Sequence, residues 1–281
     1  MFKILTKKVL NHQVKLMEIQ APLIAKKAEP GQFIILRVDE NGERIPLTIA
    51  AFDREKGTVT IIFQEVGMTT KLLGSLNEGD FILDFVGPLG VPTHLDGYKN
   101  VAVIGGGLGS AIAYPQAKKL FASGAKVDSI LGFRNKDMII LEDEIKKVST
   151  NVFITTDDGS NGCKGFVSDI LKQRLEEEKY DLVIAIGPLM MMKVICDITR
   201  PLGIKTIVSM NPIMIDGTGM CGGCRVTVDG ETKFACVDGP DFDGHLVDFE
   251  SAMNRQKMYR EEEAVSSDHK CRIGLGGNQR G

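Results

Sequence analysis

No tryptophan occurs among the 281 residues, and only four are tyrosine and four histidine. No apolar run approaches the roughly 18 residues that a membrane-spanning helix needs, so no membrane partner is expected. The first ten residues, MFKILTKKVL, have neither a continuous apolar core nor a small-residue cleavage site, which argues against a secretory signal. Positive charge is not in excess: 34 Lys and Arg against 37 Asp and Glu give a net charge of −3. With no basic cluster, nucleic acid is not an expected ligand. The six cysteines do not read as a disulfide framework, because three of them crowd into one short stretch. That pattern suits metal ligation in a reducing compartment, and a cytoplasmic protein is the default expectation.

The crowded stretch is NPIMIDGTGMCGGCRVTVDGETKFAC (211–236). Plant-type [2Fe–2S] proteins ligate their cluster through C-x4-C-x2-C and a distant fourth cysteine. Here the spacing is D-x4-C-x2-C-x11-C, with Asp216 in the first place, then Cys221, Cys224 and Cys236. One short segment must wrap both irons, and Gly217, Gly219, Gly222 and Gly223 let it bend and turn N–H groups towards sulfur. Alternatives remain at this point. CGGC alone is a tight turn or half of a zinc site, in which a carboxylate or His245 would complete the three cysteines. The fourth cluster ligand is read as Asp216, with Cys163, Cys196 and Cys271 as competitors.

Residues 1–97 alternate short β-rich runs with turns: 33–38, 45–52, 58–64 and 80–87, a pattern that predicts a small antiparallel barrel. The segment 66–76 reads as helical in its second half, with Thr69 or Thr70 as N-cap. From Tyr98 the pattern becomes strand, glycine turn, helix and strand, which predicts a doubly wound parallel-sheet nucleotide-binding domain over 98–210. A small cysteine-loop domain (211–248) and a C-terminal helix and tail (249–281) follow. Phe249, Ala252, Met253 and Met258 are expected to give that helix an apolar side.

GGGLGS (105–110) follows a strand and opens a helix, the setting of a phosphate-binding turn, with Gly105, Gly106, Gly107 and Gly109 letting the backbone approach a pyrophosphate. Ser110 stands where G-x-G-x-x-G has its last glycine. No acidic residue ends the next strand, and Arg134 there leaves NADP open beside NAD. Asp157 and Asp158 end another strand of the same sheet, placed to hold ribose hydroxyls or to form a turn with Gly159. Gly187 and Pro188 would let a nicotinamide ring approach, and Met190, Met191 and Met192 read as packing.

Barrel, nucleotide domain and cysteine loop in this order resemble the ferredoxin reductase-like flavoproteins. More narrowly, the order resembles the electron-transfer subunits of dihydroorotate dehydrogenase B. The likeness rests on IPLT (45–48), IFQEVGMTT (62–70), VIGGGLG (103–109), TTDDG (155–159), IGP (186–188) and the cysteine spacing. It implies that Pro46, Leu47 and Thr48 lie along FAD, with Thr48 at the flavin N5 edge. It places Ile62, Phe63, Gln64, Gly67, Thr69 and Thr70 at the adenine and pyrophosphate, and it gives the glycine turn to NAD(H). Ile45 stands where that family has arginine, and Ile186 where ferredoxin reductases have cysteine. Asp216 and the chain beyond Cys236 are similar to the small-subunit family of NADH-dependent reduced ferredoxin:NADP oxidoreductases. That likeness implies FAD, a [2Fe–2S] cluster and NAD(H), and a larger partner carrying a second flavin and [4Fe–4S] centres in an electron-bifurcating heterodimer. Two other expectations stay open: the dihydroorotate dehydrogenase subunit, and a non-catalytic redox sensor.

Overall fold

The computed structural model describes residues 1–258. In the first 97, strands β1 (Phe2–Val9) and β2 (Val14–Gln20) form a hairpin absent from the strands expected above. Ile4, Met17 and Ile19 turn inward, and Lys3 and Lys8 stay at the surface. Helix α1 (Pro22–Lys27) starts on proline, where a missing N–H costs nothing. Strands β3 (Phe33–Arg37), β4 (Ile45–Asp53) and β5 (Thr58–Gln64) follow the expected runs. Helix α2 (Met68–Ser75) is capped by Gly67, two to three residues before the expected cap. Thr70 instead lies in the first turn, and its hydroxyl accepts the Val66 and Gly67 N–H groups at 3.1 and 3.0 Å. The run 80–87 divides at Leu83 into β6 (Phe81–Ile82) and β7 (Asp84–Leu89).

The sheet order is β6-β1-β2-β5-β4-β3-β7. Its two edges are therefore successive pieces of chain, joined by Leu83, whose N–H bonds the Val38 carbonyl at 3.1 Å. The sheet thus curls into a nearly closed barrel around Ile4, Met17, Leu36, Ile49 and Phe63. Closure fails at one place. Ile45–Thr48 of β4 pair only with β3, because pairing of β4 with β5 starts at Ile49, while Ile62–Gln64 of β5 pair only with β2. The two strands splay there and leave a slot with one free backbone edge on each side. Pro46, which has no N–H, is tolerated beside such an edge.

The second domain runs through β8 (Asn100–Gly106), α3 (Gly109–Ala122), β9 (Lys126–Phe133), α4 (Glu142–Lys146), β10 (Asn151–Thr156), α5 (Val167–Glu177), β11 (Leu182–Ile186), α6 (Leu189–Thr199) and β12 (Thr206–Ser209). The parallel order β10-β9-β8-β11-β12 reverses direction between β8 and β11, the switch point at which such sheets bind ligands. Strands β8 and β11 are buried on both faces, as their unbroken apolar runs require.

The remaining elements are β13 (Arg225–Val228), β14 (Glu231–Phe234), α7 (Ala235–Asp238), β15 (Asp241–Asp243) and α8 (Phe249–Gln256). The expected boundary at 211 is crossed, because β15 pairs antiparallel with β12 and extends the nucleotide sheet to six strands. Nearby, Val91 donates to the Gly239 carbonyl at 2.6 Å and Met210 to that of Pro240 at 2.8 Å. On α8, Phe249 is buried and Ala252 and Met253 pack inward, but Met258 is exposed and does not join the apolar side. Cys271 and the rest of the tail lie outside the described residues. No helix among those described is long and apolar enough to cross a membrane.

Asp241 ties all three parts together. Its carboxylate accepts from Thr93 of the linker and from Gln116 Nε2 of α3 at 2.8 Å, whereas Asp241 Oδ1 and Gln116 Oε1 are buried without partners. Burial pushes this carboxyl above its usual range, against the hydrogen bonds from Ser209, Thr93 and Gln116. A carboxyl raised on folding stabilises the fold while protonated, and that contribution is lost as pH climbs through the folded-state value. Asp241→Asn removes the titration. Denaturant unfolding should therefore show the stability of D241N relative to wild type increasing as pH rises above the ordinary carboxylate range; a pH-independent difference would contradict this assignment.

Candidate cofactor cleft and cysteine loop

A cleft of about 1520 Å³ runs from the barrel slot to the carboxyl edge of the parallel sheet. Pro46, Leu47, Thr48, Ile62 and Gln64 line it from the splayed strands. Gly106, Gly107 and Gly109 line it from the turn between β8 and α3, and Asp157, Gly187 and Pro188 from neighbouring strand ends. The turn has the form a close ligand approach needs. Gly107 is left-handed (φ 56°) and donates its N–H to Gly132 at 2.8 Å, and a Cβ on Gly109 would collide with the Ile186 carbonyl. A side chain on Gly106 would meet Met191 Sδ at 2.6 Å and Pro188 Cδ at 3.0 Å, closing the floor.

Six expected residues lie off the cleft. Phe63 is wholly buried in the barrel, and Gly105 packs against Ser110 behind the turn. Gly67 starts α2, Thr69 donates its hydroxyl to Glu43 at 3.0 Å, and the Thr70 hydroxyl is committed to the helix cap. Asp158 is exposed, and its carboxylate accepts from Ser160 N at 2.9 Å, so the turn reading describes it. Conversely, the cleft uses residues the sequence did not single out. His12 and Gln13 come from the unassigned hairpin, and Asn254 and Lys257 from the last helix. Thr155 is the most informative: it lines the cleft, is 1% exposed, and its Oγ1 has no partner. A buried hydroxyl left unpaired at a ligand edge fits a polar ligand that completes it. The strand position within TTDDG, one face of a two-residue alternation, was the available signal.

The cysteine loop sits against the barrel end of this cleft. A Cβ on Gly217 would lie 2.7 Å from Leu89 Cδ1 and 2.8 Å from Ile35 Cδ1, and Ile35 pairs directly with Pro46 at the slot. Met210 and Met214, just upstream, line the cleft itself. Ile35 thus has the loop against its side chain and the slot strand beside its backbone.

The four expected ligands form two pairs. Asp216 Oδ1 lies 3.5 Å from Cys221 Sγ, and the Cys224 and Cys236 sulfurs are 3.3 Å apart. Among the described residues no three His, Cys, Asp or Glu side chains converge as a single metal ion would need. Two neighbouring pairs match a binuclear centre, in which each iron takes two protein ligands. His245 is turned away to Thr199 at 3.0 Å, and Cys196 is buried on α6 with a thiol pushed up to about 12 by burial. Cys163 sits in the loop after β10. The Asp216 carboxylate accepts the N–H groups of Thr218, Met220 and Cys221 at 3.0–3.1 Å. Hydrogen bonding, led by Thr218, holds it below the usual carboxylate range, so it is anionic at neutral pH.

A split barrel joined to a doubly wound domain defines the ferredoxin reductase-like class. In agreement, a ferredoxin reductase of carbazole 1,9a-dioxygenase superposes with a TM-score of 0.62 at 18% identity, over 72% of this chain and 64% of that one. The profile of the iron-sulfur cluster binding domain of dihydroorotate dehydrogenase B matches residues 211–248. A Thermotoga maritima protein described as a dihydroorotate dehydrogenase B (NAD(+)) electron transfer subunit homolog is 48% identical over 248 residues, 88% of each chain. The chain belongs to this family of electron-transfer subunits and their homologues. A chain of the NADH-dependent reduced ferredoxin-NADP oxidoreductase, solved in a study of flavin-based electron bifurcation, superposes with a TM-score of 0.90 at 45% identity. That match covers 95% of this chain and 96% of the other.

Reactivity within the loop should be unequal. Cys221 is exposed, while Cys224 and Cys236 are each 1% exposed, and burial beside the Cys224 thiol raises that of Cys236. In cluster-free reduced protein, iodoacetamide should alkylate Cys221 at least about tenfold faster than either of the others, because thiolate fraction and access set the rate. Peptide mass spectrometry reads this, and equal rates at the three positions would contradict the pairing.

Proposed function

We propose that this chain is the electron-transfer flavoprotein subunit of an electron-bifurcating NADH-dependent reduced ferredoxin:NADP oxidoreductase. It exchanges hydride between NAD(H) and FAD, and single electrons pass through a [2Fe–2S] cluster to a larger flavin and [4Fe–4S] subunit. The observation that supports this reading is the side-chain pairing Asp216–Cys221 and Cys224–Cys236 in a loop that packs, through Gly217, on Ile35 beside a slot open to the cleft. Similarity across 95% of the chain to the bifurcating oxidoreductase supports the choice of assembly. The family match over 211–248 supports a second reading, a subunit serving a dihydroorotate-oxidising partner. The two share every residue role below and differ only in the partner.

FAD supplies the exchange between two-electron hydride and one-electron chemistry, and the cluster supplies a one-electron site. The splayed edges of β4 and β5 offer backbone donors and acceptors to a planar ring, with Thr48 within the slot. Thr69 and Thr70 lie off the cleft with their hydroxyls spent on Glu43 and the α2 cap, so no cofactor contact is assigned to them. The Gly107 N–H is spent on Gly132, but Gly106 and Gly107, having no side chains, let NAD(H) approach the start of α3. Gly187 and Pro188 keep the floor low for the nicotinamide, while Met191 and Met214 exclude water. Thr155 pairs its hydroxyl with the dinucleotide, and Asp157 lies alongside. Asp216, Cys221, Cys224 and Cys236 would hold the cluster as the two pairs in which they lie. None of these side chains acts as a general acid or base.

Protein purified anaerobically should contain FAD and about two iron and two sulfide per chain, and NADH should bleach its flavin absorbance. Thr155→Val should weaken NADH binding roughly fivefold to tenfold, the worth of one hydrogen bond, and Asp158→Ala should leave it unchanged. Titration of flavin reduction measures both. A holoprotein without sulfide, or equal effects of the two substitutions, would overturn the assignment. Co-purification from the native host separates the two readings by the partner recovered.

A further inference from the structure

Helix α8 lies beyond the 211–248 stretch matched to the iron–sulfur domain, and it touches two places at once. Glu250, Asn254 and Lys257 line the dinucleotide cleft. Half-buried Arg255, on the same helix, donates from Nη2 to the Gly223 carbonyl at 3.2 Å. Gly223 stands between the two cysteines of CGGC, and its own N–H faces Cys221 Sγ at 3.5 Å. That residue is therefore held at both ends, by a thiol on one side and a guanidinium on the other. The helix carrying the arginine is well anchored: the Asp248 side chain caps it by accepting Ser251 N at 2.9 Å, and Phe249 is buried beneath it.

We infer that Arg255 is a positioning residue for the cysteine loop, fixing the CGGC turn from α8 and raising the reduction potential of the one-electron centre held there. This rests on the proposed [2Fe–2S] reading. The physical ground is charge. Taking up one electron adds a negative charge between ligands that are already anionic, and a cation fixed at the turn favours the reduced form. Arg225, next along the chain, is exposed, and solvent screens its charge more strongly. Arg255 is half-buried and hydrogen-bonded, so its charge acts at a fixed position. The planar guanidinium also supplies the reach to the carbonyl that a point charge on a flexible stem lacks.

The test is a redox titration of the purified holoprotein followed by electron paramagnetic resonance of the reduced cluster. Arg255→Gln should lower the midpoint, shifting the one-electron equilibrium threefold to tenfold; tenfold corresponds to about 59 mV. Arg255→Lys, which keeps the charge, should recover most of the shift. Arg255→His places a switchable charge at the same position, and its midpoint should acquire a pH step near the ordinary histidine value of about 6.5 that wild type lacks. This variant decides the matter even if R255Q does not retain its cluster. A wild-type midpoint in R255Q, a shift in R255K as large as in R255Q, or an R255H profile parallel to wild type would overturn the inference. Wild-type protein with no iron–sulfur resonance would instead overturn the functional reading on which it rests.

Discussion

The antiparallel pairing of β15 with β12, secured by buried Asp241 between Thr93 and Gln116, is the constraint on which the arrangement of the molecule depends. Without it, the chain after Ser209 would be a cysteine loop on a tether. With it, the segment becomes the sixth strand of the nucleotide sheet, and Phe242 and Val247 join the main core. Burying each such side chain contributes about 1.5–3 kcal/mol, ample to hold a short loop in place. Because Thr93 precedes the sheet and Gln116 lies on its first helix, the same carboxyl fixes the loop relative to both larger domains. An electron carrier needs that, since a fixed separation between the two redox sites is a property of the scaffold rather than of either site.

The loop itself turns sequence spacing into chemistry through pairing. Glycines at 217, 219 and 222 adopt left-handed conformations and fold the segment back, so that Asp216 meets Cys221, while α7 returns Cys236 to Cys224. The barrel slot and the glycine turn open on the same cleft, which puts a place for a flat ring between a place for a dinucleotide and the metal-ligating loop. With Asp216 as the proposed first ligand, the formal charge of the donor set would equal that of four thiolates, while its two ends would differ chemically. One end is mixed oxygen and sulfur, the other all sulfur.

Much of this was legible from residue order because local rules and tertiary structure agree. The apolar runs of β8 and β11, the glycines between β8 and α3, and the cysteine spacing are each dictated by short-range physics and kept by the fold. The hairpin β1–β2 is not legible in the sequence, because its lysines at 3, 7, 8 and 15 resemble those of a solvated terminus until its inward residues find a barrel. Strand β15 was invisible for a different reason: three residues, two of them aspartate, carry no strand preference, and only the free edge of β12 makes them one. At the site, Thr69, Thr70 and Asp158 have the right chemistry but spend it locally on Glu43, the α2 cap and Ser160. Short polar side chains near turns commonly do so. Thr155 shows the converse, since only burial without a partner marks its hydroxyl as available.

Mössbauer spectroscopy of the oxidised 57Fe-enriched protein tests the central claim most directly, namely that the loop offers its ligands as two unlike pairs to a binuclear centre. Irons bound by Asp216–Cys221 and by Cys224–Cys236 must differ, so the spectrum should contain two quadrupole doublets of equal area. A single doublet, from equivalent irons or from one iron in a four-ligand site, would contradict the account.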